Sequence, residues 1–298
     1  MLKTINDLLA KAKEGEQKTL VVACADDKHV LDAVEKARAE GIIRPILVGN
    51  KEIILMLLDD LTIDPKYFEI IDIMDHEQAC DYAVKLVSEN DGYALMKGYV
   101  DTKVILKSVL KEEFGFKGKN RLSHVSLFEI KNYHKLLLMS DGAMNMYPGV
   151  DEKQEIIENA VKVLHHLGIQ NPKVGVIAAI EKLNEKMPPT VDAVELIKRN
   201  QEGKITGCMI DGPFALDNAI NKEAAIHKGI DSEVAGDVDM ILMPQIESGN
   251  VFYKSMMFLA DAKSASIIVG GKRPIVLTSR ADSTESKFYS IALAAMAV

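Results

Sequence analysis

The fold is decided by residues 19–48, TLVVACADDKHVLDAVEKARAEGIIRPILV. The apolar run at 19–25 has the length of a buried strand. Apolar side chains then recur at helical spacing over 28–39, and a second apolar run occupies 45–48. A strand, a helix and another strand in this order are typical of an α/β protein with parallel strands.

The same alternation continues along the rest of the chain. We predict strands at 19–25, 45–48, 68–73, 93–96, 125–130, 135–139, 173–179, 208–210, 239–243, 266–269 and 274–278. Helices are expected at the amphipathic N-terminus and at 28–39, 76–89, 102–111, 152–167, 191–199, 218–227, 250–262 and 283–297. Residues 186–190, KMPPT, are predicted to form a loop within a domain. The pattern indicates mostly parallel sheets with helices on both faces.

Composition excludes several classes of protein. The chain has 298 residues, enough for about two domains, and 48% of them are hydrophobic, so it can bury a sizeable core. Lys and Arg total 36 against 44 Asp and Glu, a net charge of -8, which disfavours a nucleic-acid partner. A small anionic ligand stays compatible, because it needs only two or three cations.

Targeting and redox signals point to the cytoplasm. The N-terminus has no continuous apolar core, so no signal peptide is expected, and no apolar run is long enough to span a membrane. Three widely spaced cysteines, Cys24, Cys80 and Cys208, suggest neither a disulfide framework nor a zinc site. We expect a cytoplasmic protein without a bound metal.

Candidate ligand-binding residues follow the predicted strands, because ligands of open α/β sheets bind beyond the carboxyl ends of strands. Lys97 and Gly98 come directly after the run at 93–96. Asn250 is a plausible N-cap for a helix that carries Lys254 one turn later, and the alternative for Lys254 is a solvent-facing side chain. Gly212 and Pro213 are predicted to form a tight turn before the next helix, and we include them among the substrate-binding residues.

The last strand leads into the clearest candidate for an anion site. Ser279 and Arg280 follow the run at 274–278 and precede the final helix, where free backbone N–H groups and a guanidinium favour an anion. The alternative is a surface arginine and a loop serine. Asp282 and Glu285 fit a capping box with Asp282 as N-cap, or one of them is a general base. P-loop, dinucleotide-binding, nucleophile-elbow and HExxH motifs are absent from the sequence.

These loops together resemble the phosphate acetyl/butyryltransferase family, most closely its butyryltransferase branch. The resemblance extends over nearly the whole chain. The matching stretches are VACA (22–25), RPILVG (44–49), MKGYVDT (96–102), RLSHV (121–125), MSDGAMNMYP (139–148), DGPFALDNA (211–219), GDVD (236–239), GNVFYK (249–254) and PIVLTSRADS (274–283).

The resemblance implies two α/β domains like those of isocitrate and isopropylmalate dehydrogenases, with an active site in the cleft between them. The implied first domain consists of residues 1–130 and 268–298, and the second of residues 131–267. The family also suggests a homo-oligomer.

The implied reaction converts a short-chain acyl-CoA, with butyryl-CoA first, and inorganic phosphate into acyl phosphate and CoA. It uses neither a metal nor an acyl-enzyme, and coenzyme A thioester is a substrate rather than a bound cofactor. The family's Ser-Arg pair corresponds to Ser279 and Arg280, with Arg280 on the phosphate. The acetyltransferase branch has a catalytic Asp where this chain has Ser286, so we assign the proton acceptor to Glu285 in preference to Asp282.

Three alternatives stay open. Acetyl-CoA is the alternative substrate, because a single pocket side chain decides between the two acyl groups. A decarboxylating dehydrogenase with NAD(P) and a metal would need an Asp triad and an Arg cluster, which the sequence does not show. A CoA-binding protein without catalysis is the third.

Overall fold

The computed structural model describes residues 2–118, 120–278 and 282–298. Contacts within these residues divide the chain into two compact units. The first unit contains Asn6–Asn120 and Ala265–Val298, and the second contains Arg121–Ser264 with the residues up to Ile5. The boundaries predicted from the resemblance, and the cleft between the domains, stay predictions.

Strands and helices alternate through the described residues. In chain order they are α1 (Ile5–Glu14), β1 (Lys18–Ala23), α2 (Lys28–Ala39), β2 (Ile43–Gly49), α3 (Lys51–Asp60), β3 (Glu69–Asp72), α4 (His76–Glu89), β4 (Tyr93–Lys97), α5 (Thr102–Val109), β5 (Ser123–Glu129), β6 (Leu137–Ser140), α6 (Val150–His166), β7 (Lys173–Ile177), α7 (Pro188–Gln201), β8 (Met209–Phe214), α8 (Leu216–Ile220), α9 (Lys222–His227), β9 (Met240–Leu242), α10 (Ile246–Phe258), β10 (Lys263–Val269), β11 (Ile275–Val276) and α11 (Thr284–Met296).

The first unit is built on parallel strands in the order β3-β2-β1-β4-β11, followed by β10, which runs antiparallel to β11. Strand β1 pairs on both sides, and its residues from Thr19 to Ala23 are buried, which explains its continuous apolar run. Because β1, β4 and β11 are parallel, their carboxyl ends lie at the same edge of the sheet.

The second unit has the strand order β5-β6-β9-β7-β8. Strands β6, β9, β7 and β8 are parallel, and β5 is antiparallel to β6. Its core includes Phe128, Phe214 and Phe252, and the rings of Phe128 and Phe252 meet edge to face. The α/β class with mostly parallel strands and flanking helices is therefore confirmed.

Helices α2 and α4 begin and end at the predicted residues, whereas other boundaries were wrong. Helix α3 was not predicted, although the Asn50 side chain caps it by accepting from the backbone N–H groups of Glu52 and Ile53. Helix α7 begins inside the predicted loop, because Pro188 and Pro189 fill its first positions, where a missing N–H costs little. The helix expected at 218–227 is two short helices, α8 and α9.

Strand β8 runs further than predicted. Gly212 and Pro213 lie within it and do not form a turn before the helix. Gly175 pairs with Asp211 and Ile177 pairs with Phe214, so Gly212 and Pro213 both face the single residue Val176. A proline is tolerated here because β8 is the outermost strand and the bulge already interrupts its pairing with β7. No helix in the described part of the chain is long and apolar enough to cross a membrane.

Candidate active site

A pocket of about 190 Å³ opens at the carboxyl edge of the first unit. We name it the lysine pocket. The described residues that line it are Asp27, His29, Val30, Lys97, Gly98, Tyr99, Thr278 and Lys287. They follow β1, β4 and β11 or belong to α2 and α11, so the pocket lies where the topology predicts a ligand.

Lys97 and Gly98 shape one wall of the pocket. The Lys97 side chain is only 5% exposed, and its Nζ donates to the carbonyl oxygens of Gly98 at 3.2 Å and Val100 at 3.1 Å. The Gly98 N–H donates to Ala23 O, and the Tyr99 N–H donates to Cys24 O. A Cβ at position 98 would lie well inside van der Waals distance of the Cys24 carbonyl, so this close approach requires glycine.

The last helix and the segment that follows the last strand supply two further residues of the pocket lining. Thr278 is buried and directly precedes Ser279 and Arg280, which lie outside the described residues together with Ala281. Lys287 on α11 is 4% exposed, and its Nζ donates to the backbone carbonyl of Asp282 at 2.5 Å. Burial lowers the pKa of Lys287, while the carboxylates of Asp282 and Asp27 act in the opposite direction.

The start of α11 differs from the sequence prediction. Ser283 is the N-cap, and its Oγ accepts the N–H of Ser286 at 3.1 Å, so the assignment of Asp282 as N-cap was wrong. Glu285 is therefore the second residue of the helix and not the third, and its side chain is exposed. Glu285 does not line the lysine pocket among the described residues, although it shares α11 with Lys287.

A second group of predicted residues lies at the carboxyl edge of the second unit. Asn250 is inside α10, which begins four residues earlier at Ile246, so the prediction that it caps the helix was wrong. Its Nδ2 donates to Gly142 O at 3.4 Å, while Lys254 is exposed one turn further along the helix. Gly249 lies within α10 and packs against the loop after β6. A Cβ there would clash with the Asp141 backbone, so this packing requires a glycine.

Asp141 holds the loop that Asn250 contacts. Its Oδ1 accepts from the N–H groups of Ala143 at 2.7 Å and Met144 at 2.9 Å, and its Oδ2 accepts from Asn145 Nδ2 at 2.6 Å. These bonds fix a polar, glycine-containing loop after β6, as expected for a ligand-binding edge. Gly212 and Pro213 lie on β8, which is the outermost strand of this unit.

The three cysteines are buried, and the pKa values of the Cys24 and Cys208 thiols are raised. The hydrogen bond with Cys80, 4.0 Å away, and burial raise the pKa of Cys24, and burial raises the pKa of Cys208 to about 11. Because a thiolate is the nucleophilic form, these two side chains are poorly prepared to accept an acyl group.

Sequence reasoning assigned Lys97 and Gly98 to the site and pointed to the strand-end segments that contain Asp27 and Thr278, but it missed Lys287 and His29. One signal for Lys287 was present. Glu285 and Lys287 are the charged residues of α11, whose remainder, FYSIALAAM, is almost entirely apolar. A lone lysine at the beginning of a buried helix indicates a side chain directed toward a specific partner.

Comparison with known proteins agrees with this architecture. The family model described as Phosphate acetyl/butaryl transferase matches residues 4–91 and 77–295. A phosphate butyryltransferase from Clostridium acetobutylicum is 46% identical over 99% of this chain and 98% of its own length. A phosphate acetyltransferase from Thermotoga maritima is 45% identical over 97% of this chain and 98% of its own length.

The crystal structure of a branched-chain phosphotransacylase from Enterococcus faecalis superposes with a TM-score of 0.84 at 34% identity. The superposition covers 94% of this chain and 99% of that one. With a family match over nearly the full length, and relatives this similar over their whole length, the chain belongs to the phosphate acetyl/butyryl transferase family.

Proposed function

We propose that the protein converts a short-chain acyl-CoA and inorganic phosphate into acyl phosphate and CoA, with butyryl-CoA as the preferred thioester. The observation that carries this proposal is 46% identity over 99% of the chain to a phosphate butyryltransferase. Acetyl-CoA is the second candidate substrate, because a phosphate acetyltransferase is 45% identical over nearly the same length.

The reaction is a direct acyl transfer. A phosphate oxygen attacks the thioester carbonyl carbon, a tetrahedral oxyanion forms, and the C–S bond then breaks. The new C–O bond gives acyl phosphate, the electron pair of the C–S bond goes to sulphur, and the proton of the phosphate hydroxyl reaches the CoA thiolate. In the opposite direction the thiol loses this proton, which requires an acceptor because an ordinary thiol has a pKa of roughly 8.5.

The predicted site residues match the needs of this chemistry. We assign phosphate binding to Arg280 and Lys97, with the Gly98 backbone beside them, and stabilisation of the oxyanion to Ser279 and nearby N–H groups. Asn250, Lys254, Gly212 and Pro213 are assigned to the binding of phosphate or CoA. Glu285 is assigned as the proton acceptor.

The cellular setting is part of the proposal. We infer a cytoplasmic enzyme that forms a homo-oligomer, binds neither nucleic acid nor membrane, and uses CoA thioester as a substrate without a resident cofactor. The net charge of -8 supports the absence of a nucleic-acid partner.

The deciding experiment measures CoA release from butyryl-CoA and from acetyl-CoA, with and without phosphate, in the presence of EDTA. We expect phosphate-dependent release that is faster with butyryl-CoA and unaffected by EDTA. Burial of two further methylenes is worth about 1.6 kcal/mol, so the preference for butyryl-CoA is expected to be roughly fifteen-fold.

Each alternative has its own outcome in this assay. A preference for acetyl-CoA would select the acetyltransferase, and absolute dependence on NAD(P) with loss of activity on chelation would indicate a dehydrogenase. Binding of CoA without any turnover would indicate a CoA-binding protein.

A further inference from the structure

Lys287 is a second buried cation in the lysine pocket. It comes from α11, while Lys97 comes from the end of β4, so two elements that are far apart in sequence each place an ammonium group at this pocket. Both side chains are at least 95% buried. Burying two like charges beside one small pocket opposes folding, so a function is the natural reason to keep them.

The contacts of these lysines fix the positions of both ammonium groups. They include backbone carbonyls, namely Gly98 and Val100 for Lys97 and Asp282 for Lys287. A carbonyl acceptor anchors an ammonium group without cancelling its charge, and each ammonium has three donors. The lysines are therefore arranged as fixed positive charges at the pocket wall.

The size and surroundings of the pocket limit its ligand. A volume of about 190 Å³ is smaller than the 300–1,000 Å³ that is typical of sites for drug-sized molecules. The buried hydroxyl-bearing Thr278 and the Gly98 backbone complete the wall. Asp27 also lines the pocket, but its Oδ1 accepts the Val30 N–H, and the two lysines outnumber this carboxylate. This combination suits a small oxyanion and not the adenosine part of a nucleotide.

We propose that Lys287 and Lys97 jointly bind a tetrahedral oxyanion in the lysine pocket, the inorganic phosphate or the phosphoryl group of acyl phosphate. Lys287 is then a phosphate-binding residue of the acyl transfer, and this role rests on the proposed function. Ser279 and Arg280, which the family resemblance assigns to the reaction, follow the pocket residue Thr278 directly in sequence.

The test replaces Lys287 by Gln, which removes the charge but keeps a donor for the Asp282 carbonyl. We expect the KM for phosphate to rise about tenfold or more, the scale of one charged hydrogen bond, while the KM for butyryl-CoA changes less than about twofold. Lys103→Gln is the matched control, because Lys103 is exposed in the same unit and does not line the pocket. An unchanged phosphate KM in folded Lys287→Gln would overturn the proposal.

Lys287→Arg supplies an independent variant with a distinct pH profile. The charged and titratable groups near the Lys287 side chain are the carboxylates of Asp27 and Asp282, the Lys97 ammonium and His29. Because the pKa of Lys287 is lowered, phosphate affinity of the wild type should fall as the pH rises toward that pKa. The guanidinium stays charged, so Lys287→Arg should retain its phosphate affinity at higher pH. Identical alkaline profiles in the two proteins would also contradict the proposal.

Direct binding of inorganic phosphate, measured by calorimetry without any thioester, separates this proposal from the proposed function. If the wild type binds phosphate and Lys287→Gln binds it more weakly, the pocket assignment is supported even when no thioester is turned over. If the wild type is active but Lys287→Gln binds phosphate equally well, the proposed function stands and the assignment of Lys287 is refuted. Thermal unfolding of each variant shows that the comparison is between folded proteins.

Discussion

At the scale of single residues, the start of α11 carries Asp282 and Glu285, the two carboxylates that we propose as acceptors of the CoA thiol proton. Ser283 caps the helix, the Asp282 carbonyl binds Lys287, and Glu285 is exposed in the first turn. Because Ser283 and not Asp282 is the N-cap, a capping role of Asp282 gives no reason to prefer Glu285 as the proton acceptor. The choice between the two carboxylates rests on the variants.

We expect Glu285→Gln to lower turnover by ~10²-fold, the usual scale for general base catalysis, with little change in melting temperature. Asp282→Asn should keep most of the turnover, because its backbone carbonyl still binds Lys287. Steady-state rates near pH 7 with acyl phosphate and CoA measure both. Normal turnover in Glu285→Gln together with an inactive but folded Asp282→Asn would reverse the assignment.

Single residues also show how far sequence reasoning reaches into the site. Lys97 and Gly98 were predictable because a cation and a glycine directly follow an apolar strand, and strand ends bind ligands. The role of Lys287 was not predictable, because its proximity to Lys97 depends on how α11 packs within the first unit. Nothing local to residues 284–296 encodes that packing except the lone charge in an apolar helix.

At the scale of elements, the contact between α10 and the loop after β6 depends on two glycines. A Cβ at Gly249 would clash with the Asp141 carbonyl, and one at Gly142 would lie 3.1 Å from the Gly249 backbone. Backbone atoms cannot move aside as a flexible side chain can, so even the smallest side chain separates the helix from the loop. The same contact accounts for the presence of a glycine near the start of α10.

Gly249→Ala is therefore expected to destabilise the protein although alanine favours helices by up to about 1 kcal/mol. The displacement needed to relieve the clash typically costs 1–3 kcal/mol, so we expect the melting temperature to fall by several degrees. Gly15→Ala is the control, since an added Cβ there meets no atom within 4 Å. A melting temperature equal to or above that of the wild type would show that the loop adapts to the helix.

At the scale of the whole molecule, an ion-pair network joins the amino ends of the parallel strands in the second unit. Asp237 accepts hydrogen bonds from Lys173 Nζ at 2.6 Å and His134 Nε2 at 2.8 Å, and it pairs with Lys135 Nζ at 3.0 Å. Burial raises the pKa of Asp237, but these partners outweigh it and hold the pKa well below its usual range. The ionised carboxylate therefore stabilises the fold.

This stabilisation should be fully present above the unfolded pKa of about 3.9 and be lost as the pH falls below that value. Because Asp237 is partly exposed, we expect Asp237→Asn to lower the melting temperature at pH 7 by only about 2–5 °C. The difference in melting temperature between Asp237→Asn and the wild type should become smaller near pH 3. Exposed Asp231 supplies the control variant, and a difference independent of pH would exclude the ionised carboxylate as its cause.

Across the molecule, the sequence predicted classes and periodicities better than boundaries. The predicted bounds of α2 and α4 were exact because the apolar spacing of both helices is regular and an aspartate caps each of them. The start of α10 and the end of β8 were wrong because Gly249 and Pro213 usually interrupt such elements. A backbone contact and a bulge, neither visible in the local sequence, accommodate them here.

The bulge at Gly212 and Pro213 has a consequence for self-association. Strand β8 is the last in its row, and an exposed strand edge is where identical molecules add to one another and polymerise. Pro213 offers no N–H to an incoming strand, and two residues facing one break the regular spacing that such a strand would need. Edge-to-edge addition of a strand is therefore disfavoured at β8, and the homo-oligomer that we propose would use other surfaces.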